Sequence, residues 1–308
     1  MAASSLKISS LQSKITGSWG RNAVISVPMT FLLLVFLLPF LVVFKISLSE
    51  MDTVFFKDIF TVKDDVVYLV LKYGNYLSLT QDNLYFDAYV SSIRTAAVTT
   101  IICLGLAYPF AYFMARSPAH MRPALLMLVM LPFWTSFLLR VYAWKMLLSD
   151  TGVFNNALIA MGVIDLPIKM MNTPFSLVLG MVYTYVPFMI LPLYANLVKM
   201  DLRLLEAALD LGATPWQAFW RITVPLSKSG IIAGSMLVFI PCVGEFVIPE
   251  LLGGPQTLMI GHVLWDEFFS NNDWPMAATV AVVMVVLIIL PLALFNKYQA
   301  ESTSGGGT

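Results

Sequence analysis

Glu245, Glu250, Asp266, Glu267 and Asp273 all fall between Lys228 and Lys297, a stretch with no Lys or Arg of its own. Carboxylates without basic neighbours set up a field that attracts cations. Glu245 is the sharpest of them, because the segment CVGEFVIPELLGG places it among apolar residues, where an unpaired carboxylate is costly. It should face a polar cavity or a partner, unless Arg140 is its structural counter-ion. Trp134, Tyr183, Tyr185 and Trp265 add ring faces that can hold a cation if they line the same space. Each ring can equally be an interface anchor or a packing residue, and Asp266, Glu267 and Asp273 can equally be a solvated loop face.

Other chemistry finds no support. Cys103 and Cys242 both lie in apolar runs, which reads as packing and not as a disulfide or metal pair. His120 and His262 fall in loops on opposite sides by the topology below, so no shared metal site is expected. No Gly-rich Lys-Ser/Thr phosphate loop and no hydrolase or kinase signature occurs, so the chain is expected to be neither an enzyme nor a cofactor binder. No nucleic-acid partner is expected.

Membrane helices must position these residues. A chain of 308 residues that is 59% hydrophobic and only 12% charged lies far from soluble composition, where roughly a quarter of residues are charged. Six apolar runs, 23–46, 95–115, 123–147, 175–198, 230–249 and 275–296, are long enough, or nearly so, to cross a hydrocarbon core of about 30 Å at about 1.5 Å per residue. The fold class is therefore all-α integral membrane protein, with about six transmembrane helices. The first run is uncharged over 22–44, too long for a cleavable signal.

Lys and Arg in the short flanks orient the chain. Lys7, Lys14 and Arg21, then Arg116 and Arg122, then Lys199, Arg203, Arg221 and Lys228, mark three cytoplasmic segments. An even number of spans puts both termini inside. The reading thus divides into a cytoplasmic tail 1–22, a transmembrane domain 23–298 with an outer segment 47–93 and a cytoplasmic loop 199–228, and a flexible tail 299–308. The outer segment, rich in Phe and Tyr, can be a small cap, either as a dock for a binding protein or as a cover for the bundle. Pro28, Pro39, Pro109, Pro132, Pro187, Pro192, Pro241, Pro249 and Pro291 interrupt the apolar runs, and Gly230 with Gly234 forms a GxxxG pair suited to close helix packing.

The cytoplasmic loop carries the most specific pattern, EAALDLGATPWQAFWRITVP over 206–225. Asp201 can cap a first short helix, with Gly212 as its stop. Thr214 as N-cap, Pro215 at the first helical position and Gln217 in a capping box start a second helix at once, and Pro225 disfavours helix at Val224. Trp216, Phe219, Trp220 and Thr223 then form an apolar stripe that needs a partner. The loop resembles the EAA loop of ABC-importer permeases: Glu206, Ala207, Ala208, Gly212, Ile222 and Pro225 fall in register, with Val224 where the family usually has Leu. The resemblance implies the type I importer permease fold, with Trp216 and these six residues coupling the chain to a separate cytosolic ATPase that uses ATP and Mg.

The wider chain is similar to the putrescine/spermidine permeases of bacterial polyamine importers, most of all the putrescine-system subunit. LLPFLVVFKISLSE, LPFWTSFLLRVYAW, YVPFMILPLYANL and GSMLVFIPCVGEFVIPELLGGP carry that likeness. It implies a multi-pass protein of the bacterial inner membrane, assembled with a second homologous permease, two ATP-binding cassette subunits and a periplasmic polyamine-binding protein. A permease for another small cationic solute, a secondary transporter or channel, and a non-transporting anchor are the other readings; weak internal symmetry or deep proton-relay residues would favour the secondary transporter.

Overall fold

The computed structural model describes residues 18–51, 56–57, 60–63, 66–69, 72–254 and 257–304; most of the tail 1–22 and residues 305–308 lie outside the described residues. The chain forms two compact units, Met1–Leu77 with Asp273–Val282, and Ser78–Asn272 with Val283–Thr308.

In the first unit, helix α1 (Ser18–Leu32) passes through a π turn, Leu33–Leu37, into α2 (Leu38–Ser47). The stretch Val24–Ser47 is long and apolar enough to cross a membrane. Its large side chains, from Val24 to Phe44, are mostly exposed on this chain, as a helix solvated by lipid requires. The π turn answers Pro39. A proline ring clashes with the carbonyl four residues back, here Val35, and the extra residue of the π turn moves that carbonyl aside.

Segment 47–93, expected as a small cap, adds strands to the all-α expectation. It holds two small antiparallel ladders, β1 (Glu50–Met51) with β2 (Phe56–Lys57) and β3 (Phe60–Lys63) with β4 (Val66–Leu69), then helix α3 (Gly74–Gln81). The buried Ser47 ties this end of the unit together. Its hydroxyl meets the Tyr76 hydroxyl at 2.8 Å, and its carbonyl accepts from the buried Thr279 hydroxyl at 3.1 Å.

The second unit is built on three helices: α4 (Asn83–Arg116), α8 (Pro174–Leu197) and α12 (Lys228–Val243). Helix α4 begins twelve residues before the apolar run at 95, with the Asp82 carboxylate capping it on the Leu84 amide at 2.9 Å. Met181, Met189 and Leu193 of α8 are fully buried, so α8 is the core helix. The GxxxG pair explains how α12 approaches it. A Cβ on Gly230 would meet Asn196 Cβ at 2.8 Å, and one on Gly234 would meet Met189 Sδ at 2.7 Å. Cys103 and Cys242 are buried and free, Cys103 resting its thiol 3.8 Å from the Val182 carbonyl.

Two expected spans are not straight. The run 123–147 breaks at Thr135 and Ser136, between α5 (Arg122–Met130) with its 3-10 turn Leu131–Trp134 and α6 (Phe137–Leu148) running toward α7 (Val153–Ala160), and the two halves meet at 84°. The run 230–249 ends as helix at Val243 and resumes only as α13 (Val247–Leu252). Among the described residues three helices are long and apolar enough to cross a membrane, and up to five spans result if each bent pair counts as one. The last apolar run is shorter, Trp274–Ile289, within α15 (Trp274–Ser304). That helix continues to Ser304 and so takes in most of the tail expected to be flexible from 299 onward.

Candidate functional site

The loop 199–228 folds as two short helices joined by a tight turn. Helix α9 (Arg203–Asp210) starts where the Asp201 carboxylate accepts from the Arg203 amide at 3.1 Å. The Arg203 guanidinium also grips Asp201, at 2.7 Å, and holds its carboxyl below the usual carboxylate range. Both groups are exposed, so the pair orders the turn and adds little to stability. At the other end Gly212 takes φ of +83°, the left-handed region open to glycine. The Gly212 amide bonds the Leu209 carbonyl at 2.9 Å and the Ala213 amide bonds the Ala208 carbonyl at 3.0 Å, the paired pattern that closes a helix through a left-handed residue.

The second helix, α10 (Pro215–Ala218), opens on a full capping box. The Gln217 amide reaches Thr214 Oγ1 at 3.3 Å, and the Thr214 amide reaches Gln217 Oε1 at 3.1 Å. Contrary to the expectation from Pro225, helix does not stop at Val224. The chain continues through a π turn, Phe219–Thr223, into α11 (Val224–Leu226) and bends only at Ser227, by 64°, into α12. The cause is the one seen at Pro39: the carbonyl four residues before Pro225 belongs to Arg221, inside the π turn.

The expected stripe divides into an anchor and a free face. Phe219 packs edge-on against Tyr108 and Tyr112 of α4, with ring centres 5.5 Å and 5.9 Å apart, and Thr223 is fully buried. The Tyr108 hydroxyl meets the buried Ser227 hydroxyl at 2.8 Å, directly at the bend. Trp216 and Trp220 instead stand 69% and 52% exposed, and Leu211 at the turn 89% exposed. Glu206 and Ala207 are exposed beside them, Ala208 and Ile222 half-buried. Phe219 and Ser227 thus tie the hairpin to α4 at the start of α12.

The second candidate site lies at the break between α12 and α13. Glu245 is half-buried in the unwound residues Gly244 to Phe246. Its carboxylate accepts a short hydrogen bond from the buried Tyr185 hydroxyl, and accepts from the amides of Val247 at 3.1 Å and Ile248 at 3.4 Å. Tyr185 on α8 and the first turn of α13 therefore supply what a carboxylate there requires. Arg140 is not its counter-ion among the described residues. Its guanidinium lies over Phe133 at 5.3 Å and Phe137 at 5.9 Å. Phe133 leads on to Phe188 and Phe188 to Tyr185, so three rings separate the cation from the anion.

The remaining expected site residues disperse. Tyr183, two residues from Tyr185, turns to another face of α8 and packs on Trp144. Trp134 is 76% exposed at the end of its 3-10 turn. Trp265 ends α14 (Ile260–Trp265) and stacks on Phe246 at 4.6 Å, which places it beside Glu245. Asp266 and Glu267 open a π turn, Asp266–Ser270; Glu267 accepts from the Tyr85 hydroxyl at 2.7 Å, and Asp266 lies 3.0 Å from His262. Asp273 caps the start of α15 through the Met276 amide at 3.0 Å. His262 is helical, not in a loop, and its pairing with Asp266 at i, i+4 was open to view in the sequence. Ser92, whose hydroxyl fixes the Ile260 amide at 2.7 Å, gave no such signal.

Comparison with known proteins places this geometry. Residues 105–303 match the model of the binding-protein-dependent transport system inner membrane component family. The chain is similar to the spermidine/putrescine transport system permease protein PotB of Salmonella typhimurium (strain LT2), 40% identical over 276 residues that make up 89% of this chain and 92% of the relative. It is likewise similar to PotB of Escherichia coli (strain K12), 43% identical over 238 residues, 77% of this chain and 86% of the relative. Among solved structures, the bacterial alginate ABC transporter in complex with alginate pentasaccharide-bound periplasmic protein covers 95% of this chain and 98% of its own, with a TM-score of 0.68 at 17% identity. That likeness shows the fold.

Proposed function

The chain belongs to the family of binding-protein-dependent transport system inner membrane components, and from that membership we propose that it is the permease subunit of an ATP-driven importer carrying polyamines, putrescine and spermidine among them. The subunit is non-catalytic, and ATP with Mg is used by a separate ATPase. The carrying observation is the hairpin around Glu206. Its turn is fixed by Gly212 and Thr214, one face is anchored on α4, and Leu211, Trp216 and Trp220 stand exposed in a chain whose relatives are polyamine permeases.

In the proposed cycle a loaded periplasmic binding protein docks outside while two ATPase subunits close on ATP inside. Glu206, Ala207, Ala208, Gly212, Trp216, Ile222 and Pro225 make up the coupling element that carries closure to the bend at Ser227. A second, homologous permease completes the pathway in the bacterial inner membrane, with both termini of this chain in the cytoplasm. Coupling requires that the hairpin interact differently with the ATPase in its two nucleotide states, since equal interaction shifts nothing. The acid-rich interval around Glu245, Trp265, Asp266 and Glu267 lowers the cost of bringing a polycation to the outer mouth, by weak and multiple contacts that still permit release.

ATP-dependent uptake of labelled putrescine into vesicles containing the purified complex tests this reading. Wild-type complex is expected to accumulate putrescine, with diamines and polyamines competing. Gly212→Asp and Glu206→Ala are expected to lower uptake and uncouple ATPase stimulation while insertion is retained. Coupled uptake at the wild-type rate in both variants would remove the hairpin from its role, and competition only by unrelated cations would replace the substrate class.

A further inference from the structure

Helix α14 places His262 between two carboxylates from different elements. Its Nε2 lies 2.5 Å from Glu250 Oε2 on α13, and its Nδ1 lies 3.0 Å from Asp266 Oδ2 in the following π turn. An ionised carboxylate only accepts, so both contacts are attractive together only when both ring nitrogens carry protons. A neutral imidazole serves one carboxylate and turns a lone pair toward the other. We propose that His262 is a proton-operated strap between α13 and α14, closed on both sides when the imidazole is charged and open on one side when it is neutral.

Position gives the strap something to act on. Helix α14 backs onto the Glu245 break so tightly that a Cβ on Gly261 would stand 2.5 Å from the Gly244 carbonyl and 2.7 Å from that of Glu245. Phe246 and Trp265 close the same seam by stacking. The imidazole is 29% exposed, so protons reach it from water.

Among the described residues, the ion pairs of His262 are those two alone. Helix α4 also packs on α14, and its outer half carries Tyr85, Asp87, Tyr89 and Arg94. The Tyr85 hydroxyl goes to Glu267, and the Glu245 carboxylate is taken by Tyr185 and two amides. The charge state of the imidazole therefore governs the strap. The contacts set the sign: a charged ring donates to both carboxylates, a neutral ring to one. Any effect on uptake rests on the pathway reading above, whereas the strap is a property of the two helices themselves.

Hydrogen–deuterium exchange on the assembled transporter, corrected for intrinsic rates, tests it without any transport substrate. Between about pH 5.5 and about pH 8.5, protection of 247–252 and 260–265 is expected to fall about two- to fivefold, the range for a partly exposed charge pair. His262→Gln is expected to show the lower protection at both pH values, and Glu250→Gln to lose the pH dependence in 247–252. Equal wild-type protection at the two pH values would overturn the strap, as would a His262→Gln variant that follows the wild type. The wild-type comparison needs no variant, so the test stands even where a variant fails to assemble.

Discussion

The Glu245 carboxylate shows how one residue can be both costly and fixed. It accepts from a buried phenol and two helix-starting amides, so the charge that apolar surroundings penalise is stabilised by donors already in place. Removing Tyr185's hydroxyl leaves that charge short of a partner. Tyr185→Phe is therefore expected to destabilise the assembled complex by about 1.5–3 kcal/mol, the range for hydrogen bonds to charged groups. Glu245→Gln, which keeps an acceptor facing the phenol, should cost less in stability while weakening polyamine transport. Thermal melting of the purified complex checks both, and a Tyr185→Phe complex as stable as the wild type would contradict the pairing. The need for a partner was legible from CVGEFVIPELLGG alone. Its identity was not, because Tyr185 lies sixty residues away and only the packing of α8 against the break separates it from Arg140.

Elements set by local rules were readable, and elements set by neighbours were not. The Thr214 capping box and the Gly212 stop depend on residues within one turn, and both occur as the sequence implied. The 84° break at Thr135 and Ser136, the end of α12 at Val243 and the π turns ahead of Pro39 and Pro225 depend on how whole helices pack, and hydropathy smooths over them. The GxxxG pair lies between the two cases: its pattern is local and its meaning is tertiary. Because a Cβ on Gly234 would stand 2.7 Å from the Met189 sulfur and 3.1 Å from its carbonyl, Gly234→Val crowds α12 against α8. A cost of about 1–3 kcal/mol is expected from overpacking, read as a lower melting temperature and less assembled complex. Unchanged melting would mean that α12 and α8 do not meet along this seam.

At the scale of the whole molecule, family membership and the free face of the hairpin meet on one claim, that a cytosolic ATPase drives this permease through the residues around Glu206. The exposed apolar side chains Leu211, Trp216 and Trp220 are unfavourable in water, which suits a covering partner. The proposed orientation, with Lys and Arg inside, puts these side chains on the side where ATP is found. Both native cysteines are buried, so a single cysteine introduced by Leu211→Cys offers a clean probe. The direct measurement is cross-linking from that cysteine in membranes containing the intact complex. The account predicts a cross-link to the ATPase subunit whose yield changes between the ATP-bound and nucleotide-free states, with no labelling by a membrane-impermeant thiol reagent added from outside. A cysteine labelled from the exterior, or one that forms no cross-link to the ATPase in either state, would contradict it.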